Sequence, residues 1–146
     1  MSKYYRVYLF LLRIALGWLF LYSGITKIIN PKWTAAGYLQ GAKTFSGFYH
    51  WLASPSLLPV TNFINEWGMT LVGAFLILGV FVRISSFAGA ALMFLYYLPI
   101  LTFPYVAPRS YLVDEHIVYA LSFLILGASS ADQVWALQNK YPLFRK

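Results

Sequence analysis

The sequence predicts an all-α integral membrane protein: a four-transmembrane-helix bundle with an interfacial amphipathic helix between the first two spans. Three observations predict it. Hydrophobic residues make up 60% of the 146-residue chain and charged residues only 10%, whereas soluble domains run nearer half apolar and a quarter charged. Apolar segments recur at about 7–29, 60–82, 84–103 and 110–130, each near the roughly 20 residues a helix needs to cross the hydrocarbon core. Residues 33–53, between the first two, are too polar to cross and rich in aromatic residues that suit the headgroup belt.

The first segment, Val7 to Ile29, carries Arg13 inside it and Lys27 near its end. Lys3 and Arg6 resemble the basic start of a signal peptide, but the apolar stretch is too long, contains Arg13 and lacks a small-x-small cleavage site. It reads as an uncleaved span. At 100° per residue, Arg13, Gly17, Phe20, Gly24 and Lys27 fall within about 40° of one direction. A charge in lipid is costly, so such a face turns toward other helices or a wet cavity. The plainer reading is that the glycines let helices approach and Lys27 snorkels to the headgroups.

Asn30-Pro31 breaks the first helix. Tyr38, Ala42, Phe45, Tyr49 and Leu52 then share one face of an amphipathic helix lying in the interface. Pro55 and Pro59 end it. In the second span Asn62, Glu66, Thr70, Gly73 and Ile77 align, which points Glu66 inward. Arg83 closes that span, and the near-absence of a connection makes the second and third spans a tight antiparallel hairpin. The third opens on small residues, Ser85 to Ala91, and ends with Tyr96, Tyr97, Pro99 and Pro104. The fourth starts near Ser110 with Asp114, Glu115 and His116 in its first turns. Asp114 suits an N-cap, and Glu115 and Tyr119 share a face beside that of His116. Asp132 ends the span, where it looks like an inner-boundary ion pair with Arg83.

The net charge of +7 would suggest nucleic acid in a soluble protein. Here the basic residues sit in loops and tails, where topology and anionic lipid account for them, so no nucleic-acid partner is expected. Their excess toward the chain ends favours a multi-pass protein of the cell membrane with both termini cytoplasmic. The chain has no cysteine, which excludes disulfides, cysteine-ligated iron–sulfur clusters and cysteine-based zinc sites. His50 and His116 cannot supply paired haem ligation on facing helices, no glycine-rich nucleotide loop occurs, and no metal site is expected.

Threaded antiparallel, the spans bring ionisable groups to one outer level. Lys27, Glu66, Tyr96, Tyr97, Glu115, His116 and Tyr119 gather there beneath the interfacial segment, with Arg13 deeper. Those are the parts needed to hold a quinone headgroup and manage its two protons. They are equally the parts of a structural ion-pair network.

The pattern Arg13-x-x-x-Gly17-x-x-Phe20-x-x-x-Gly24-x-x-Lys27, then Pro31, resembles the first span of DoxX/DoxD-type membrane proteins. Glu66 followed by Gly73, Leu78-Gly79 and Arg83 is similar to their second span, and Gly127, Ser130 and Asp132 to the end of their fourth. The aromatic run from Trp33 to Pro59 looks more like the DoxD branch, the small membrane subunits of thiosulfate:quinone oxidoreductases. The resemblance implies a quinone-interacting subunit; the depth of the polar groups assigns proton handling to Glu66, Glu115 and His116 and quinone binding to Lys27, Arg13, Tyr96, Tyr97 and Tyr119. It implies membrane lipid and either a second subunit or a homo-oligomer as partners. Two other functions fit the same residues: a non-catalytic accessory subunit, and a small anion carrier using Arg13 and Lys27.

Overall fold

Helix boundaries follow the punctuation of the sequence. A computed structural model of the chain describes residues 2–108, 110–129, 131 and 134–140. Helix α1, Lys3–Ile29, starts where the Ser2 hydroxyl accepts from the Tyr5 N–H at 3.2 Å. It stops at Asn30, held extended (φ −92°, ψ 99°), as a residue before proline prefers. Helices α2, Ala36–Gln40, and α3, Ser46–Leu52, follow. Helix α4, Leu58–Leu78, carries a proline in its first turn and ends on Gly79 at φ 69°, the left-handed cap that glycine adopts without steric cost. Helix α5, Val82–Ile100, begins after Phe81. Strands β1, Tyr105–Ala107, and β2, Ser110–Tyr111, form a small antiparallel hairpin pairing Tyr105 with Tyr111. Helix α6, Glu115–Ala128, starts on Asp114, whose carboxylate accepts from the backbone N–H groups of His116 and Ile117.

The four long helices pack in a ring, α1 on α4, α4 on α5, α5 on α6 and α6 on α1. The α1–α4 seam brings backbones together: a Cβ on Gly73 would lie 2.6 Å from the Gly17 carbonyl oxygen, and one on Gly24 2.6 Å from the Thr70 nitrogen. Only glycine allows that approach. Phe20 of α1 meets Phe123 of α6 edge to face across the centre, ring centroids 4.7 Å apart and both rings fully buried.

Helices α1 and α5 have the length and apolarity to cross a membrane. Only 33% of the apolar window in α1 and 39% in α5 is buried inside the protein, so most of that apolar surface faces outward. Trp18, Tyr22, Phe63, Trp67, Phe94 and Leu121 line this outer surface. In a soluble protein such a patch would be a liability; lipid is the solvent it suits.

Four expectations are corrected. The segment 33–53 is two short helices rather than one, because Gly41 ends α2 and Phe45 at φ 52° turns the chain before α3. As a result Tyr38 and Phe45 leave the buried face, which is formed by Ala35, Leu39, Ala42 and Tyr49. The helix expected from Ser110 begins at Glu115, because the hairpin claims Ser110 and Tyr111; at 14 residues it extends about 21 Å. In α4 the buried residues are Asn65, Met69, Val72, Gly73 and Leu76; Thr70, Gly73 and Ile77 of the expected stripe do meet α1, but Glu66 is only half-buried. The short α4–α5 connection does appear as expected. The Arg83–Asp132 pairing falls outside what is described at its Asp132 end; Arg83 itself is exposed at the start of α5. Ser130, Arg109 and residues 141–146 also lie outside the described residues.

The fourth correction concerns Arg13, which is fully buried but serves the opposite end of the bundle. Its Nη1 donates to the carbonyl oxygens of Ala131 and Val134, both at 2.8 Å, and its Nη2 to that of Trp135 at 3.1 Å. A guanidinium satisfies several carbonyls at once because its donors fan out in one plane. Arg13 thereby fastens the segment after α6 across the bundle end. Fourteen positions apart in sequence, Arg13 and Lys27 are about 21 Å apart along α1.

Candidate functional site

Lys27 sits in the last turn of α1, where the helix has no acidic partner to offer. Its Nζ donates to the Asn65 side-chain oxygen at 2.6 Å, reaches the Met69 sulfur at 3.1 Å and donates to the Tyr96 hydroxyl at 3.2 Å. It also lies 4.8 Å from the centroid of the Trp33 ring, close enough for a cation–π attraction. Each of these partners is neutral. Glu66 is half-buried, within electrostatic reach of Lys27 but without an ion pair to it.

Around this ammonium lies a hollow of about 250 Å³, lined among others by Ser23, Lys27, Tyr38, Tyr96, Glu115, His116 and Tyr119. Polar groups from α1, α5 and α6 thus meet in one place, with Met69 supplied by α4. Of the sequence-predicted site residues, the structure brings together Lys27, Tyr96, Glu115, His116 and Tyr119. It does not bring in Arg13, nor Glu66, which lies beyond the lining, nor Tyr97, whose hydroxyl donates to the Leu112 carbonyl at 2.5 Å and so ties α5 to the chain before α6.

His116 is oriented by Asp114. The carboxylate meets the imidazole Nδ1 at 2.6 Å while its other oxygen caps the His116 backbone N–H at 3.0 Å. The Asp114 contact leaves Nε2 as the ring nitrogen open to a ligand. Asp114 is therefore both the N-cap expected from sequence and the group that fixes the imidazole. Among the described residues no cluster of three His, Asp or Glu side chains could hold a metal ion.

A second hollow, of about 260 Å³, adjoins the first and shares Tyr38 and Tyr96 with it. It is roofed by α2 and α3 and otherwise lined by residues such as Leu39, Phe48, Leu52, Ile64, Leu92 and Leu95. Hydrogen bonds pin the roof along its edges: the Tyr49 hydroxyl to the Leu95 carbonyl at 2.8 Å, the Tyr38 hydroxyl to the Tyr96 carbonyl, the Ala35 N–H to the Asn62 side chain at 2.9 Å and the Lys43 N–H to the Pro99 carbonyl at 2.9 Å. Burial pushes the Tyr38 and Tyr49 phenols up from the usual tyrosine value, so both remain neutral donors at physiological pH.

Sequence reasoning missed Asn65, Met69 and Tyr38. The 4-3-4 spacing of Asn65, Met69, Val72 and Leu76 is the signal that marks this face; it competes with the stripe through Glu66, one residue and 100° away. Nothing in the spacing of Tyr38 sets it apart from the neighbouring aromatics.

A family model described as DoxX matches residues 8–101, more than half of the chain. The chain belongs to the DoxX family. DoxX is a membrane family, in keeping with the outward-facing apolar surface of α1 and α5. The DoxX match takes in Lys27, Asn65, Met69 and Tyr96 and stops before Glu115 and His116, so one wall of the hollow lies beyond it. No curated protein and no solved structure matches the chain.

Proposed function

We propose that this DoxX protein is a quinone-interacting membrane subunit of an oxidoreductase, of the DoxD kind, receiving electrons from a sulfur compound such as thiosulfate. The observation that carries the reading is the single hollow walled by Lys27, Tyr96, Glu115 and His116. A quinone presents two carbonyl oxygens across a ring and takes two electrons and two protons to become a quinol. Lys27, held by neutral groups, turns to one oxygen the N–H that otherwise meets the weakly accepting Met69 sulfur. His116, its Nδ1 held by Asp114, faces the second with its other nitrogen and passes a proton there, with Glu115 resupplying it from the water side, while the first oxygen takes its proton from the Lys27 ammonium, which water then reprotonates. An ammonium beside neutral acceptors stabilises negative charge as it develops on the ring oxygens.

The chain has no cysteine, so electrons arrive from a partner subunit rather than through a thiolate-ligated cluster of its own. In this reading all four long helices cross the membrane, with α4 and α6 admitted by the polar groups they bury against the hollow. Lys3, Arg6, Arg83 and Lys140 then gather at the cytoplasmic end. The test follows quinone reduction in membranes holding the full complex, with Lys27→Met and His116→Ala. Each variant is expected to lose at least about tenfold in rate, the size of one charged hydrogen bond. Unchanged rates in both would remove the proposed role.

A further inference from the structure

The second hollow has a lining whose polar groups all point elsewhere. Tyr38 and Tyr49 give their hydroxyls to backbone carbonyls of α5, and the Thr61 hydroxyl donates to the Leu52 carbonyl at 3.2 Å. The Asn65 oxygen and the Tyr96 hydroxyl are engaged by Lys27. What remains to face the interior is hydrocarbon and ring edges. Water suits such a space poorly, since each buried water needs two to four polar partners. A flexible hydrocarbon chain suits it well, gaining dispersion contacts along its whole length.

The hollow also has a mouth on the lipid side. Phe48, Ile64 and Leu95 of its lining are 47%, 56% and 42% exposed, on an outer surface that is otherwise apolar. At its inner end it meets the polar hollow across Tyr38 and Tyr96. A chain entering from the bilayer core would therefore lead directly to Lys27.

We infer that the apolar hollow beneath α2 and α3 houses the hydrocarbon tail of the same molecule whose polar head lies beside Lys27, so that the ligand class is a quinone bearing a prenyl or similar long apolar tail. This rests on the quinone reading above. Tail and head are then recognised by separate walls: α2, α3 and the outer ends of α4 and α5 for the tail, and Lys27 with His116 for the head. A membrane phospholipid would offer the same tail chemistry without the ring.

The test is binding by calorimetry to the purified full chain in one detergent, comparing a tail-less benzoquinone with one carrying several prenyl units. Wild type is expected to bind the tailed quinone at least about tenfold more tightly, since burying two methylene groups already gives that factor. Ile64→Trp and Leu95→Trp, both at exposed positions where the fold tolerates bulk, should each erase the gain and leave the tail-less quinone unchanged. Equal binding of the two quinones by wild type, or a gain that survives both substitutions, overturns the inference while the headgroup reading stands. Failure of wild type to bind either quinone removes the headgroup reading and the inference with it. A diacyl phospholipid that displaces the tail as well as unlabelled tailed quinone does, while leaving the tail-less quinone bound, assigns the hollow to lipid and overturns the inference.

Discussion

The Lys27 ammonium donates to the Asn65 amide oxygen at 2.6 Å, so the cation at the centre of the site is held by a dipole and not by a carboxylate. A carboxylate at that distance would neutralise the charge and leave little for a ligand. An amide orients it and leaves the charge to act on whatever enters the hollow.

Removing the charge should therefore separate function from stability. Lys27→Met keeps an unbranched apolar stem and removes a desolvated charge, but it leaves the Asn65 oxygen without its closest donor. The expected outcome is a thermal midpoint within a few degrees of wild type, with quinone binding reduced at least tenfold. Asn65→Leu should cost more stability, about 1–3 kcal/mol, because the group left without its closest acceptor is charged. Thermal melts in detergent beside binding titrations check both.

Asp114 has two roles that substitution can divide. Asparagine is as good an N-cap as aspartate, and alanine is a poor one. Asp114→Asn should keep the melting temperature and lose quinone reduction, because an amide is a weaker anchor for the His116 Nδ1 than a carboxylate. Asp114→Ala should lose the rate and in addition about 1 kcal/mol of stability. Equal rates in wild type and Asp114→Asn would show that orientation of the imidazole does not limit the reaction.

Arg13 is expected to act on stability alone. Arg13→Met removes the donors to three carbonyls, those of Ala131, Val134 and Trp135, and leaves them buried at a cost of about 3 kcal/mol or more. Limited proteolysis should then cut after α6, where the wild type is protected. Arg13→Lys should rescue only in part, since an ammonium cannot match the planar fork of a guanidinium.

The glycines divide in the same way. Gly73→Ala forces α1 and α4 apart and should destabilise by roughly 1–3 kcal/mol, the usual cost of overpacking. Gly47, whose added Cβ would meet nothing within 4 Å, should accept alanine with a small gain, about 0.5–1 kcal/mol, from helix propensity. Denaturation of both in the same detergent reads the contrast.

Alkali should loosen the roof. The Tyr38 and Tyr49 phenols are raised by burial, so the folded state prefers them neutral. That contribution is complete below the usual tyrosine value near 10 and is lost as the pH rises from there toward the folded-state value. Phenolate absorbance followed with melting above pH 10 should show the loss, and Tyr49→Phe should reduce it while giving up the hydrogen bond to Leu95.

Depth along each helix, and the stop at the end of α1, follow from sequence alone. Rise per residue is fixed at about 1.5 Å, so Lys27, Tyr96, Glu115 and His116 had to share a level once the helices ran antiparallel, and Asn30-Pro31 and the Asp114 cap act by backbone chemistry that needs no neighbour. The glycine face of α1 was equally legible, because small residues at helical spacing have one structural use. Rotation was decided only by tertiary structure. A shift of one residue turns a side chain by 100°: Thr70, Gly73 and Ile77 lie on the α1 seam as their stripe suggests, yet Asn65 and Met69, not Glu66, meet Lys27. The same holds for Arg13, whose partners are backbone carbonyls more than a hundred residues away and carry no side-chain signature. It holds too for the roof, where the turn at Phe45 redirected one amphipathic stripe into two short helices over an apolar hollow.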